Sequence, residues 1–270
     1  MSGEAMNIPS FATIITAAGS SERFNKGRDD KVKKEYLSID GHTVLYKAAE
    51  PFFEIPGLVA MVVTCPKGSE DETVVALEDL VNVNGLPLLI LEGGKSRTES
   101  VKKAIKALSD LPFDFEYIAI HDGARPFLTP ELIITTLATA SVMGAAAPAI
   151  RVTDALKKLG NNGMIEENID SKNTIRVQTP QIFKSDNLIA AYQSLPDDVV
   201  AKDDIEVYTM AGFPCSVVQG SEENRKITYF RDIPGANEQI EEYIKAREEG
   251  RHSAKAVKRM RELMQQKEDL

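Results

Sequence analysis

Phe11-Ala12-Thr13-Ile14-Ile15-Thr16-Ala17-Ala18-Gly19 decides how the rest of the chain is read. The first six residues are apolar or β-branched and do not alternate with polar ones. That is the pattern of a parallel strand covered on both faces. Two alanines and a glycine follow, a small-residue turn that lets backbone N–H groups approach an anion closely. Residues 58–64 (LVAMVVT), 88–91 and 117–120 repeat the strand pattern. Helical stretches lie between them. Ser96-Arg97-Thr98-Glu99 has the spacing of a capping box, and Val101, Ala104, Ile105 and Leu108 recur behind it at helical intervals. Thr129-Pro130-Glu131 supplies a cap, a first-turn proline and an acid suited to the helix dipole. Strand alternating with helix predicts right-handed βαβ units: an α/β fold with a single doubly wound, mostly parallel sheet.

Two stretches depart from the alternation. Residues 150–176 are polar, with Gly160, Asn161, Asn162 and Gly163 among scattered apolar pairs. They read as an excursion from the sheet, a protruding β-arm. After Gly250, Ser253 can cap a last helix with Val257, Met260 and Met264 on one stripe. This C-terminal helical extension, 251–270, either packs on its own domain or meets a partner.

Composition narrows the class. With 270 residues, 43% apolar and 27% charged, the chain is an ordinary globule able to bury roughly three quarters of its surface. No apolar run reaches the ~18 residues of a bilayer span. The net charge of -9 argues against a generic nucleic-acid binder, so any phosphate site must be a local basic cluster. The first residues show neither the basic nor the apolar region of a signal peptide, and a cytoplasmic setting is expected. Cys65 and Cys215 each lie in an apolar run and are expected as free core thiols rather than a disulfide.

In an open α/β sheet, ligands bind beyond the carboxyl ends of the strands. After the first strand, residues 22–35 carry six basic and four acidic side chains, a local +2. Next to the Ala17-Ala18-Gly19 turn this suits a polyphosphate; the alternative is a solvated charged loop. After the strand at 117–120 comes His121-Asp122-Gly123-Ala124-Arg125-Pro126. Asp122 could hold a divalent metal and Arg125 fork onto a phosphate, or the two could simply cap and pair locally. His121 reads as a packing residue. Gly93-Gly94-Lys95-Ser96 imitates the end of a P-loop, but the position that needs the earlier glycine is Leu89. The G-x-G-x-x-G fingerprint is missing as well, and the second strand ends Cys65-Pro66-Lys67 with no acid for a ribose, which argues against a nicotinamide cofactor.

Taken in order, Ala17-Ala18-Gly19 with Arg23, Lys34-Glu35-Tyr36-Leu37, Gly93-Gly94 with Arg97 and Ser100, His121 to Pro126, Val152-Thr153-Asp154, Gln178 to Phe183, Asp203-Asp204, and Gly220 to Thr228 form a set. The set resembles the 2-C-methyl-D-erythritol 4-phosphate cytidylyltransferase family, from about residue 11 to 240. A close relative with the same framework is ribitol-5-phosphate cytidylyltransferase. The resemblance implies a Rossmann-like nucleotidyltransferase domain over 1–250, with the arm at about 150–176. It implies transfer of CMP from CTP to 2-C-methyl-D-erythritol 4-phosphate with release of pyrophosphate. Arg23, Lys34 and Lys226 fall on the family's charge-stabilising positions. Ala17, Ala18, Gly19, Gly94 and Ser100 fall where the nucleotide is read. Asp122, Arg125 and Thr179 fall on the acceptor side, and Asp122 with Asp203 on the Mg²⁺ region. A homodimer that exchanges its arms is implied. The rivals are transfer to another polyol phosphate and a non-catalytic nucleotide sensor.

The sequence leaves the family pattern in three places. The first loop is longer, with Lys33 where a proline usually precedes the lysine. The arm reads Asp154-Ala155 in place of Asp-Thr. The arm arginine falls on Ser171, beside Lys172, with Arg176 the nearest arginine. Lys172 is the expected substitute on the acceptor side.

Overall fold

The computed structural model describes residues 8–29, 31–80, 85–196, 198–233, 240, 241 and 243–245. The expected helix over 251–270 lies outside the described residues. In chain order the elements are β1 (Phe11–Thr16), β2 (Ser38–Ile39), β3 (His42–Thr43), α1 (Val44–Phe53), β4 (Leu58–Cys65) and α2 (Glu70–Ala76). There follow β5 (Leu88–Glu92), α3 (Arg97–Ser109), β6 (Tyr117–Asp122), α4 (Pro130–Met143), β7 (Ala145–Arg151), β8 (Leu156–Leu159) and β9 (Ile165–Ile169). The chain continues through β10 (Ile175–Val177), β11 (Gln181–Lys184), α5 (Ser185–Ser194), α6 (Asp204–Met210) and β12 (Ser216–Gln219).

The central sheet runs β10-β7-β11-β6-β1-β4-β5, with β12 parallel to β7. β1 pairs in parallel with β4 and β6, and β4 with β5. β11 runs antiparallel to β6 and β7, and β10 antiparallel to β7. The sheet is therefore mixed but mostly parallel. Side chains of β1 alternate between two cores, as a strand buried on both faces requires. Phe11 and Ile15 face Leu45 and Phe52 of α1 and Leu137 of α4. Ala12 and Ile14 face Val101, Ala104 and Leu108 of α3 and Leu188 of α5.

The helix starts follow their caps. Ser96 accepts from the Glu99 N–H at 3.1 Å and Thr129 from the Leu132 N–H at 3.4 Å. The Glu99 carboxylate closes on the Lys95 N–H at 2.8 Å, one residue earlier than a standard capping box. The excursion is shorter than the sequence indicates. β7 keeps Ile150 and Arg151 in the sheet, and β10 takes the chain back at Ile175. Between them β8 and β9 form a separate antiparallel hairpin. The order of the sheet reverses between β1 and β6, since β4 and β5 lie on one side of β1 and β6, β11 and β7 on the other. That reversal puts a crevice at the carboxyl ends of β1 and β6.

Candidate active site

A cleft of about 440 Å³ opens there. The β1 turn lines it with Ala18 and Gly19, the loop before β2 with Lys34 and Glu35, and the α3 entry with Gly94, Arg97 and Ser100. Asp122 at the end of β6 and Lys226 beyond β12 complete it. Residues more than 200 positions apart in the chain thus line one cleft. Ala17 lies just beneath, its N–H continuing the ladder to Thr64 O at 3.0 Å. Gly19 has open space where a side chain would stand. The Gly94 N–H donates to Ser100 Oγ at 2.9 Å, and that hydroxyl donates to Ser96 O at 2.8 Å, which fixes the α3 entry.

Asp122 is the electrostatic centre. It is 7% exposed, and Lys226 Nζ stands 2.9 Å from Oδ2, Arg125 Nε 3.3 Å from Oδ2, and Arg97 Nε 3.9 Å from Oδ1. Burial alone would raise its pKa. Lys226, Arg97 and Arg125 overcome that and hold the carboxyl well below the usual carboxylate range. Its N–H donates to Thr179 Oγ1 at 3.1 Å. The Thr179 hydroxyl bonds His121 Nδ1 at 2.9 Å, and His121 Nε2 meets Arg125 O at 3.2 Å. With Thr179 donating, His121 is the neutral tautomer that donates from Nε2. Burial lowers the His121 pKa to about 4 and keeps the ring neutral at pH 7.

The unfolded chain's histidine takes up a proton near pH ~6.5, whereas the folded one resists until about 4. The unfolded state therefore binds more protons in that window, and folding stability falls as pH drops through it. Melting temperature should decline from pH ~6.5 toward ~4, and His121→Gln should flatten the decline. An unchanged slope in the variant would assign the acid sensitivity to other groups.

The structure rearranges several expected roles. Arg125 is spent on Asp122 and on Asn224 O at 2.7 Å, so it braces the cleft floor rather than forking outward. Thr179, 4% exposed, supports Asp122 and His121 from below. Arg23 is solvent-exposed on its loop and does not line the cleft. Lys172 lies exposed beyond the arm hairpin, outside this cleft, and Arg176 is held by Glu222 at 2.8 Å. Asp203 corrects the sequence reading most clearly. It does not line the cleft; it is the N-cap of α6, accepting from the Glu206 N–H at 2.9 Å. Its neighbour Asp204, fully buried, is the carboxylate tied to the site. Arg97 Nη2 meets Asp204 Oδ2 at 2.5 Å, and Tyr192 donates to Oδ1 at 2.6 Å. Asp203→Ala is expected to destabilise by ~1 kcal/mol, the worth of a helix cap, and to leave turnover unchanged. A large loss of activity without a loss of stability would return Asp203 to the site.

Two residues of the cleft wall were missed by sequence reasoning. Arg97 bridges Asp122 and Asp204, and the buried Glu35 holds Lys34 Nζ at 3.1 Å. Both stood inside the quoted motifs, but their partners were not visible there.

A mostly parallel sheet with a small-residue turn, a cleft carboxylate and convergent cations at its switch point is the layout of an α/β protein that binds a phosphate-bearing ligand. The family model for 2-C-methyl-D-erythritol 4-phosphate cytidylyltransferase, IspD, matches residues 11–242, and the chain belongs to that family. A 2-C-methyl-D-erythritol 4-phosphate cytidylyltransferase of Cereibacter sphaeroides is 35% identical over 231 residues, which are 83% of this chain and 94% of that protein. A bifunctional enzyme IspD/IspF of Rhodopseudomonas palustris is 33% identical over 231 residues; the match covers 84% of this chain and 55% of that protein. Among solved structures, the 2-C-methyl-D-erythritol 4-phosphate cytidylyltransferase of Thermus thermophilus superposes with a TM-score of 0.63 at 26% identity, over 86% of this chain and 99% of that one.

Proposed function

We propose that the chain transfers the cytidylyl group of CTP to 2-C-methyl-D-erythritol 4-phosphate and releases pyrophosphate. The observation that carries this reading is the convergence of Lys34, Arg97, Asp122 and Lys226 with the Gly19 and Gly94 turns on one cleft, in a chain of this family. The acceptor phosphate, with its second pKa near ~6, is largely dianionic at neutral pH and is already a nucleophile. One of its oxygens attacks the α-phosphorus of CTP. The new P–O bond forms as the bond from that phosphorus to the bridging oxygen of pyrophosphate breaks, and the leaving group keeps the electron pair. No protein base is required. His121, next to Asp122, has both ring nitrogens engaged, by Thr179 Oγ1 and Arg125 O, and is not offered to the reaction as a base.

What the protein must supply is positioning and charge. Lys34 and Lys226 both line the cleft and neutralise phosphate oxygens as charge moves to the leaving group. Arg23 adds a cation on the same loop as Lys34. Ala18, Gly19 and the Gly94–Ser100 bond offer a narrow, backbone-lined slot that suits a pyrimidine. Among the described residues no cluster of three His, Cys, Asp or Glu side chains is placed to hold a metal. Asp122 is already ringed by Lys226, Arg125 and Arg97, so a hard cation such as Mg²⁺ would be held chiefly by the nucleotide's own phosphates, with Asp122 as the protein carboxylate beside them. The chemistry such an ion supplies is neutralisation of phosphate charge. Asp203, spent as the N-cap of α6, is left out of that set.

The arm hairpin exposes Leu159, Met164 and Ile165, each by 65% or more. Apolar side chains at that exposure favour burial against a second copy, so the reading includes a homodimer formed through the arm, with Lys172 offered toward a neighbour's acceptor. Free thiols at Cys65 and Cys215 and a nucleotide substrate fit a cytoplasmic enzyme.

The deciding experiment measures pyrophosphate release from CTP with methylerythritol phosphate, with ribitol phosphate and with no acceptor, before and after EDTA. Release that needs methylerythritol phosphate and returns with Mg²⁺ is expected. Release with ribitol phosphate only would move the acceptor, and full activity after EDTA would remove the metal from Asp122.

A further inference from the structure

Glu35, which holds Lys34, and Lys33 beside it have no part in the chemistry described above. Glu35 is 3% exposed and lines the cleft, a buried carboxylate among cations. Lys34 Nζ stands 3.1 Å from Oε1, Lys33 Nζ 3.6 Å from Oε2, and Ser21 Oγ donates to Oε2 at 3.3 Å. Ser21 itself is held at φ 55°, a strained value for a non-glycine residue, at the turn that follows Gly19. Lys33 is anchored too: its ammonium donates to Gly19 O and its side chain is only 15% exposed. Burial lowers the Lys33 pKa while Glu35 opposes that change. One carboxylate therefore gathers Lys33, Lys34 and the Ser21 hydroxyl, with Lys33 also on the Gly19 carbonyl.

Such a carboxylate opposes nucleotide binding if it stands alone. Lys34 is the cation that lines the cleft, and Glu35 competes with phosphate oxygens for it. Handing Lys34 over to an anion would leave Glu35 buried and unpaired, which is costly. A second cation beside Glu35 removes that cost. We propose that Lys33 and Glu35 form a counter-ion relay: Lys33 neutralises Glu35 when the triphosphate takes Lys34, so that Lys34 is held in place in the empty cleft and released without penalty in the filled one. Both are positioning residues that act through Lys34. The relay rests on the CTP reading for the identity of the nucleotide, but its chemistry concerns the triphosphate alone.

The relay makes a prediction that a merely structural pair does not. In Lys33→Met, Glu35 has Lys34 as its remaining cation beside the Ser21 hydroxyl, and keeps it. Affinity for triphosphate should fall about tenfold, the weight of one charge-assisted hydrogen bond. Adding Glu35→Gln to that variant frees Lys34, so the double variant should bind within about threefold of the unmodified protein. A structural brace gives the reverse order, with the double variant at least as weak as the single. Lys33→Arg should rescue.

Calorimetric titration of each variant with inorganic triphosphate and, in parallel, with CTP decides the matter, with thermal melting to show that each variant is folded. Restoration in the double variant supports the relay; additive losses, or an unchanged Lys33→Met, overturn it. Should triphosphate follow the relay pattern while CTP fails to bind the unmodified protein, the relay stands and the CTP reading falls. Should neither bind the unmodified protein, both fall.

Discussion

Lys226→Ala is expected to lower kcat by about 10²–10³-fold, the usual loss when one preorganised stabilising group is removed from a polar transition state, and to leave the fold intact. The two halves of that statement rest on different atoms. The backbone around Lys226 is held by its neighbours. Ile227 N–H donates to Ala124 O at 2.8 Å, and the buried Asn224 side chain donates to Thr179 O at 2.9 Å. The Lys226 side chain is 37% exposed, so its removal leaves no sizeable cavity. Asp122 loses one partner but retains Arg97 and Arg125, which keep it ionised. The Nζ atom reaches into the cleft 2.9 Å from Asp122, where a charge developing on phosphate would meet it. The loss should therefore fall on kcat more than on the KM for CTP, as for an interaction made chiefly in the transition state. Steady-state kinetics by pyrophosphate release, with melting curves alongside, would test it. A near-normal kcat would remove Lys226 from the chemistry, and an unfolded variant would contradict the placement of its side chain.

The parallel half of the fold was legible because burial on both faces leaves a mark in composition. Residues 11–16 and 58–64 are nearly continuous apolar runs, and each is a strand of the central sheet. The other half was not legible. β7 is Ala-Ala-Ala-Pro-Ala-Ile-Arg, poor in the β-branched and aromatic residues that signal a strand, and it is held by pairing with three neighbours instead. The cleft residues could be placed because they follow strands directly. Their mutual contacts could not, because Arg97 and Asp204 are 107 positions apart and only the assembled sheet joins them. The choice between Asp203 and Asp204 did have a local signal. Asp203-Asp204-Ile205-Glu206 has the spacing of a helix start, and Asp203 is spent as its cap. The Glu206 carboxylate even repeats the closure seen at α3, accepting from the N–H of Lys202, the residue before the cap, at 2.6 Å. A cap residue and a metal ligand look alike in sequence; they differ in whether the carboxylate turns back onto its own helix.

Gly93→Ala should damage nucleotide binding more than its single added methyl group suggests. Gly93 follows β5 and donates its N–H to Cys65 O at 2.8 Å, so its backbone continues the sheet and cannot retreat freely. A Cβ at this position would lie 2.3 Å from the Ala18 Cβ and 2.8 Å from Ser100 Oγ, both far inside contact distance. Neither neighbour is the loose end of a flexible chain. Ala18 belongs to the turn after β1, and Ser100 Oγ is engaged with Gly94 N–H and Ser96 O. Room for the methyl group can come only from parting the β1 turn from the α3 entry, the two walls between which the base is proposed to sit. Overpacking of this kind costs about 1–3 kcal/mol. If that strain is relieved by opening the slot, it appears as a roughly 5- to 150-fold weaker affinity for CTP, since 1.4 kcal/mol is a factor of ten. The acceptor's KM should change less, because Asp122 and Lys226 are carried by β6 and by the segment after β12 rather than by the two parted segments. Binding of CTP and of inorganic triphosphate to the variant separates the possibilities. Loss of CTP binding with triphosphate binding retained places the base between Ala18 and Gly94. Equal loss of both would mean that the strain spreads into the phosphate loop, and unchanged CTP binding would put the base elsewhere.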